Sequence, residues 1–340
     1  MTVIVREIRP DVRADLEGFA AVRHGALPFH LITADSLAYD MAHFHPDARY
    51  RPLLAENVED GEDGDDREDR EDREDREDAE GESSESAGRG GIIGSAQVGL
   101  IHEAPEPGQA FVNVYVHPDA TRRGAGTLLV RAAEEYLAAQ GATRLLSWVL
   151  DTPGNRAFAE AHGYRASRSA HFLRLDLAQG TLPPLQDPPP GVELRTAADF
   201  ADDPRPLFAL DAETTADEPS DAGAELTDYE AWLEETWRHP LIDLDLTVVA
   251  VVDGRPAAFT AARTDGVRHY GSGMTGTARA FRGRGLAKLV KNHSLHRARA
   301  AGYTEAFTGN DTGNGPMLAI NKWFGYEVCA TEVRYVRELG

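Results

Sequence analysis

The sequence has very little cysteine and no long apolar run. A single cysteine, Cys329, occurs in 340 residues, which excludes an internal disulfide framework and a multi-cysteine zinc site. No apolar run approaches the roughly 20 residues of a membrane helix, and residues 1–6 lack the order of regions found in a signal peptide. With 35 Lys and Arg against 57 Asp and Glu, the net charge of −22 disfavours nucleic acid, whose phosphates would be repelled. These absences predict a cytoplasmic protein with neither a nucleic-acid nor a membrane partner.

The acidity is concentrated in one stretch of the chain. Between Glu59 and Glu85, 17 acidic residues stand against four arginines, and the run includes four Arg-Glu-Asp triplets. Residues 57–91 have almost no apolar side chain, so they cannot bury enough surface to offset the entropy of ordering. Repeated Asp and charge repulsion disfavour the alternative of a single charged helix. The sequence predicts a disordered acidic insertion, with recruitment of a basic partner as the alternative role for such a polyanion.

A second boundary lies at residues 182–191, which contain five prolines. Proline-rich segments act as semi-rigid spacers, and this one lies near the middle of the chain. We therefore expect two domains, residues 1–181 and 192–340, joined by this linker.

The two parts repeat one pattern of strands, glycine-rich turn and helices. Gly124 and Gly163 are 39 residues apart, and Gly285 and Gly325 are 40 apart. A repeat of this length indicates two copies of one domain rather than a solenoid. Apolar runs predict strands at 3–8, 92–101, 110–116, 145–150, 172–177, 192–195, 246–252, 257–262, 269–277, 305–309 and 332–336, and helices at 127–140, 155–161, 228–237, 288–301 and 316–322.

Each copy has a turn rich in Gly and Arg between a strand and a helix, at residues 122–126 and 282–287. Free N–H groups and the positive end of the macrodipole at such a helix N-terminus form an anion site that suits a pyrophosphate. Glycine lets the backbone approach the phosphate, and Arg282 and Arg284 can add charge-assisted hydrogen bonds. A Walker loop is absent, and the dinucleotide fingerprint Gly-x-Gly-x-x-Gly fails at its third glycine. Two copies at matched positions therefore indicate a phosphate site of another kind.

The second turn, Arg282-Gly283-Arg284-Gly285-Leu286-Ala287, resembles the acetyl-CoA pyrophosphate loop Arg/Gln-x-x-Gly-x-Gly/Ala of the GNAT acyltransferase superfamily. The resemblance extends to Asn314 and Gly325, whose spacing of eleven residues matches that of the family's Asn and Gly-Phe/Tyr pair. Since both halves carry the pattern, the whole chain resembles a tandem GNAT protein. The resemblance implies an α/β fold of two tandem GNAT-like acyl-CoA N-acyltransferase domains, each a mixed, mostly antiparallel sheet flanked by helices.

The family's mechanism implies roles for these residues. Acetyl-CoA would be the co-substrate, and its acetyl group would pass directly to a primary amine of a small molecule or peptide, with neither a covalent enzyme intermediate nor a metal. The splayed strand before the loop would offer main-chain groups to the pantetheine arm, and one N–H would polarise the thioester carbonyl. The implied cofactor-binding residues are Thr275, Gly276, Thr277, Arg282, Gly283, Arg284, Gly285, Leu286, Ala287 and Asn314 in the second half, and Val114, Val116, Arg122, Arg123, Gly124 and Gly126 in the first.

The two halves differ at the family's side-chain landmarks. The second half keeps Arg282 and Asn314 but has Asn321 where the family usually has the Tyr that protonates the leaving thiolate. An amide cannot serve as that acid, so water or another residue would have to. We predict that the second half is the catalyst and that the first is degenerate. In place of the family's Arg/Gln, Asn and Tyr, the first half has Thr121, Thr152 and Ala159.

The acceptor site of the family is shaped by the segment between a domain's first strand and its next helix, and here that segment is acidic. Glu213 and Glu218 are candidates either to hold a cationic amine or to act as base, and a solvated loop is the alternative. No acid or cysteine stands at ligand spacing from the paired histidines at 43, 45, 293 and 296, which argues against a metal. The function predicted is N-acetyl transfer; the rival interpretation is a module that binds acyl-CoA without turnover. The acceptor and the oligomeric state are not encoded in any pattern we find.

Overall fold

The computed structural model describes residues 2–58, 91–218 and 226–339. The predicted acidic insertion lies outside the described residues except at its ends. There the prediction is wrong, because Asn57 and Val58 belong to a strand and the main chain of Asn57 donates to the carbonyl of Gly91, at 3.1 Å.

Twelve strands and eight helices make up the described part of the chain. The strands are β1 (Thr2–Glu7), β2 (Arg51–Val58), β3 (Ile92–Leu100), β4 (Gln109–Val116), β5 (Arg144–Leu150), β6 (Arg165–Asp176), β7 (Val192–Thr196), β8 (Ile242–Val252), β9 (Arg255–Thr264), β10 (His269–Thr277), β11 (Glu305–Asp311) and β12 (Glu327–Glu338). The helices are α1 (Arg13–Ala26), α2 (Ala34–His43), α3 (Ala125–Ala139), α4 (Pro153–Ala161), α5 (Arg205–Thr215), α6 (Tyr229–Trp232), α7 (Leu286–Ala300) and α8 (Gly315–Trp323). The apolar patterns do not predict α1, α2, α5 or β2.

All twelve strands form one continuous sheet, in the order β1-β2-β3-β4-β5-β12-β6-β11-β10-β9-β8-β7. Two pairs are parallel, β4 with β5 and β10 with β11, and the others are antiparallel. The expected α/β fold, a mixed and mostly antiparallel sheet built from two tandem repeats, is confirmed.

The last strand of each half is exchanged. The strand at 172–177 was expected to complete the first half, but β6 lies beyond β12 and pairs with β11, while β12 pairs with β5. β6 and β12 are equivalent strands of the repeat. Each therefore pairs with the strand that the other would have paired with if both had stayed in their own halves. The two halves therefore share a single seam at the centre of the sheet.

Helices pack on both faces of the sheet, and a strand that lies between them, such as the second part of β8, is buried on both sides. In β8, Val248 and Ala250 pack in the apolar cluster under α7, and the alternate residues Val249 and Val251 pack in the cluster under α5. This alternation follows from the two-residue period of a strand. It accounts for the run 248–252 at the end of β8, which is apolar without interruption rather than alternating.

The proline-rich segment is tied to α7. The side chain of Asn292 accepts from the main chain of Gln186 (2.9 Å), and His296 Nε2 lies 2.9 Å from the carbonyl of Pro183. His293 Nε2 lies 2.6 Å from the carbonyl of Gln186. Two of the histidines considered as metal ligands thus serve to fix this segment in place.

Candidate active site

Each half contains a wedge-shaped gap where its two parallel strands part. In the second half, the last β10–β11 pair is Ser272 with Thr308; beyond it β10 pairs with β9 alone, with a register shift between Ser272 and Thr275. In the first half, the last β4–β5 pair is Phe111 with Leu146. We call these openings the second gap and the first gap. Main-chain groups of the diverging strands are thereby left for a ligand.

The predicted phosphate loops lie at the N-termini of α3 and α7. Gly283 and Gly285 have φ of 76°, and the equivalent Arg122 and Gly124 have φ of 66° and 87°. The N-cap residues are Gly124 and Gly285, which have no side chain to occupy the first N–H groups of the helix. A Cβ added at Gly283 or Gly285 would meet no described atom within 4 Å. Both loops therefore have the shape of an open cradle of N–H groups, which suits a pyrophosphate.

Side chains distinguish the two loops. Arg282 is half exposed and forms an ion pair with Asp217, and its Nε donates to the carbonyl of Thr277 at 3.2 Å. Asp217 also pairs with Arg279 at 2.8 Å, and these two arginines lower the pKa of its carboxyl to about 2. In the first loop, the hydroxyl of Thr121 donates to a carbonyl of its own loop, that of Pro118. A guanidinium is thus held at the second loop, where it could exchange Asp217 for a phosphate.

The edge of β10 that was predicted to meet pantetheine is tightly packed from behind. Gly276 faces α5 so closely that an added Cβ would lie 2.5 Å from the side chain of Thr214. Thr275 and Thr260 share a hydrogen bond of 2.7 Å between their hydroxyls. The close approach of α5 explains why glycine stands at position 276.

Asn314 and Asn321 belong to α8, on the other side of the second gap. Asn314 is the N-cap residue, and its Oδ1 accepts from the main chain of Met317 at 3.3 Å. Asn321 is completely buried; its Nδ2 donates to Asn310 Oδ1 at 2.5 Å, while its Oδ1 has no hydrogen-bond partner among the described residues. Through Asn310, near the end of β11, Asn321 is connected to the mouth of the gap.

The acidic segment divides into groups with different surroundings. Asp211 is buried and accepts from Trp232 Nε1 at 2.8 Å, and burial raises the pKa of its carboxyl. Glu213 accepts from the main chain of Arg279 at 2.6 Å. Glu218 lies at the rim of a cavity, where desolvation and the nearby Asp211 raise the pKa of its carboxyl. Residues 219–225, with the remaining acids of the segment, lie outside the described part.

This cavity has a volume of about 410 Å³ and lies between the two halves. Both gaps reach it, since Asn113 of β4 and Gly309 to Asp311 of β11 belong to its walls. The exchanged strands contribute His171 from β6 and Glu332 from β12. We call it the central cavity.

Charged groups of both signs line the central cavity. Glu332 is buried, and this burial raises the pKa of its carboxyl to about 7 in spite of the nearby Arg23 and Arg334. Arg23 is itself buried, donates to Gln97 Oε1 at 2.5 Å and lies over the ring of Tyr115 at 4.1 Å. The sequence analysis missed these groups because they come from separate elements, with no spacing that relates them.

A metal-binding cluster and a membrane-spanning helix are both absent from the described residues. Over residues 2–58, 91–218 and 226–339, no group of three or more His, Cys, Asp or Glu side chains is arranged to hold a metal ion. None of the helices in the described part of the chain has the length and apolarity needed to span a membrane.

The sequence model of the acetyltransferase (GNAT) family matches residues 49–164 and 208–326. The chain therefore belongs to the GNAT acetyltransferase family, and its class is that of an acyltransferase enzyme with two GNAT repeats.

Among curated relatives, the chain is 27% identical over 230 residues to a mycothiol acetyltransferase of Nocardioides sp., a match that covers 64% of this chain and 76% of the relative. It is 38% identical over 154 residues to a mycothiol acetyltransferase of Frankia casuarinae, covering 44% of this chain and 42% of the relative. A tandem GNAT protein from the clavulanic acid biosynthesis pathway has a similar structure, with a TM-score of 0.66 at 20% identity over 100% of this chain and 99% of that one. The last likeness shows the fold alone.

Proposed function

We propose that the protein transfers the acetyl group of acetyl-CoA to a primary amine of a small molecule or peptide that binds in the central cavity. The observation that carries the proposal is the contact between the second gap and this cavity. The diverging end of β11, Gly309 to Asp311, is a wall of both. A thioester in the gap and an amine in the cavity would meet there without crossing the sheet.

Acetyl-CoA is assigned to the second half, residues 192–340, and we propose that the first half, residues 1–181, is degenerate. The second loop offers N–H groups and Arg282 to the pyrophosphate, and the free edge of β10 at Thr275 to Thr277 offers main-chain groups to the pantetheine arm. A main-chain N–H of this edge is a suitable donor to the thioester oxygen as negative charge develops there. Positioning of the two reactants accounts for much of the rate enhancement in a direct transfer of this kind.

The amine acceptor is assigned to the central cavity for reasons of charge and size. Glu218 at the rim provides a carboxylate for an ammonium group, and a volume of about 410 Å³ suits a small molecule or the end of a peptide. The names of the curated relatives make acceptors related to mycothiol the first to test.

A thiol-release assay with acetyl-CoA and a panel of primary amines tests the proposal. We expect release of CoA that depends on one class of amine and falls when Arg282 is replaced by Ala. The rival function, a module that binds acyl-CoA without turnover, predicts heat of binding in calorimetry but no amine-dependent thiol release. The specific observation that favours this rival is Asn321, an amide at the position where the family usually has the tyrosine that protonates the leaving thiolate.

A further inference from the structure

We infer that His171, carried to the second half by the exchanged strand β6, is the base that removes a proton from the acceptor's ammonium group. This inference rests on the proposed function, because it concerns a residue at the same site. It assigns a residue from the first half of the chain to catalysis in the second.

The register of β6 on β11 places His171 at the mouth of the second gap. His171 is opposite Asn310, and the neighbouring Phe172 is opposite Gly309. Both β11 residues come after Thr308, the last one that pairs with β10. Cross-strand neighbours share a face of the sheet, and His171 and Asn310 both line the central cavity. The imidazole is therefore next to the point where the gap meets the cavity.

A hydrogen bond fixes one side of the imidazole. His171 Nδ1 lies 2.9 Å from the hydroxyl oxygen of Thr331, its cross-strand neighbour on β12. When Nδ1–H donates to this oxygen, the lone pair needed to accept a proton is on Nε2. The tautomer that catalysis requires is thus the one in which Thr331 acts as acceptor.

The position at which the family has its tyrosine acid is also close to the mouth of the second gap. Asn310, opposite His171, accepts a hydrogen bond from Asn321, which stands where the family has a tyrosine. Neither amide can exchange a proton near neutral pH, whereas an imidazole can. Among the residues that meet at this corner of the gap, His171 has the chemistry that a base needs.

Other ionisable groups around the cavity are less well suited to this reaction. Asp311 is next to Asn310 but forms an ion pair with Arg168 at 2.8 Å. Glu332 is opposite Leu150 of β5, and on β6 it is opposite Ala170 rather than His171. It therefore belongs to the side of the first gap. The titratable or charged side chains that line the cavity together with His171 include Arg23, His30, Arg168, Glu218, Asp311 and Glu332.

The step balances as follows. His171 Nε2 takes one proton from the ammonium, and the nitrogen lone pair forms the C–N bond at the thioester carbonyl. The C–S bond then breaks, the second proton moves from nitrogen to the thiolate sulfur, and the imidazolium releases its proton to solvent. The products are the acetylated amine, CoA as thiol, and one proton.

Two substitutions in the full-length protein separate a catalytic from a structural role. His171→Asn keeps a donor for Thr331, and His171→Gln keeps a polar group towards the cavity; both lack the base. We expect each to lower kcat about 100-fold or more, with the KM for acetyl-CoA and the melting temperature little changed. In the variants kcat/KM should rise with pH more steeply than in the wild type as the free-amine fraction of the acceptor grows, because the base is then no longer needed.

Glu332→Gln removes the buried carboxyl of the cavity that lies on the side of the first gap. Because Glu332 lines the cavity assigned to the acceptor, its loss can change the KM of the acceptor, and kcat is the quantity that separates its role from that of His171. If His171→Asn and His171→Gln keep the kcat and the pH profile of the wild type, the inference is wrong while the proposed function stands. If Glu332→Gln loses turnover instead, the first gap is the catalytic one, and the assignment of His171 is overturned. If the wild type releases no thiol with any amine, the proposed function fails, and the role of His171 fails with it.

Discussion

The first and second gaps have the same backbone and different side chains. In the first gap, Asn113 Oδ1 accepts from the main chain of Trp148 at 3.0 Å, so a side chain bridges the diverging strands. The equivalent residue of the second half, 161 positions later, is Met274, which packs against the apolar cluster under α5. The first gap is therefore bridged from within, whereas in the second the corresponding side chain turns away.

Duplication has preserved the loop conformation at both sites. The positive φ values at 122 and 124 recur at 283 and 285, although Arg122 pays a conformational cost there that Gly283 does not. What differs is the chemistry added to this scaffold, namely Arg282 against Thr121. The comparison teaches that the two halves share the backbone of this loop and differ in the side chains around it.

The exchange of β6 and β12 limits how far the halves can diverge. Each gap is completed by a strand from the other half, since β11 has β6 beside it and β5 has β12. A degenerate first half can therefore still be required by an active second half. This is a reason for both halves to remain in one chain.

The largest effect is expected at Lys291, where the two halves differ in their cores. Lys291 is completely buried on α7; its Nζ lies 5.0 Å from the ring centroid of Tyr326 and has no hydrogen-bond partner among the described residues. The equivalent residue on α3 is Val130, which packs in an apolar cluster. Burial lowers the pKa of the lysine to about 7, so Lys291→Met should stabilise the protein at pH 7, by on the order of 2–4 kcal/mol.

The cause of this gain in stability can be checked by measuring it at two pH values. Because the folded-state pKa lies below the unfolded value, the unfolded chain binds more protons between about pH 7 and pH 10.5. Wild-type stability should therefore rise with pH across this window, and the advantage of Lys291→Met should shrink. Melting curves at pH 7 and pH 10 measure both. An advantage that is independent of pH would show that the lysine is not held in its neutral form.

The next effect compares the two loops directly. Arg282→Ala removes the guanidinium available to a phosphate and should weaken acetyl-CoA binding by roughly 1.5–3 kcal/mol, about ten- to a hundred-fold. Thr121→Ala in the first loop should matter far less. Isothermal titration calorimetry of both variants gives the ranking. The opposite ranking would make the first half the acetyl-CoA site.

Much of this comparison follows from the sequence. The nearly equal spacing of Gly124 to Gly163 (39 residues) and of Gly285 to Gly325 (40 residues) predicted two equivalent domains, because a turn, a helix and a strand occupy fixed lengths of chain. The buried part of β8 was visible since residues 248–252 are apolar on both faces. The phosphate loops were visible because positive φ at a helix N-terminus favours glycine.

Other features have no local signal. The exchange of β6 and β12 cannot be inferred, since two equivalent strands offer the same pattern to either partner. Helix α1 was missed because two of its buried residues are charged: Asp15 accepts from Arg6 and Arg9, which hold the pKa of its carboxyl well below its usual range, and Arg23 points to the central cavity. Such partners are distant in sequence, so they interrupt the apolar period without explaining it.

A smaller effect is expected at the rim of the cavity. If Glu218 attracts the ammonium group, Glu218→Gln should raise the KM of the acceptor about three- to ten-fold at low salt, with kcat little changed. Screening over about 8 Å at physiological ionic strength should reduce the effect.

Glu213→Gln should change KM less, because that carboxylate faces the main chain of Arg279. Glu230→Gln, on the exposed face of α6, controls for the loss of one charge. A fall of kcat of a hundred-fold in Glu218→Gln would instead make Glu218 the base.

The smallest effect is expected from the segment that has no counterpart in the second half. Residues 59–90 connect β2 to β3, two antiparallel neighbours whose ends are close: Glu56 is opposite Ile92, and Asn57 bonds to Gly91. Deletion of residues 59–85 leaves residues 86–90 between them, a length found in ordinary hairpin connections. Each halving of a flexible connection changes the closure entropy by only about 0.6 kcal/mol, so melting temperature and kcat should stay close to wild type.

Since the deletion removes 17 acidic residues and four arginines, the KM of a cationic acceptor at low salt is the sensitive readout. A rise in KM that salt abolishes would mean that the insertion steers the acceptor, as a second source of attraction beside Glu218. A fall of several degrees in melting temperature would mean that it packs against the fold, and the two halves would then differ in structure as well as in their sites.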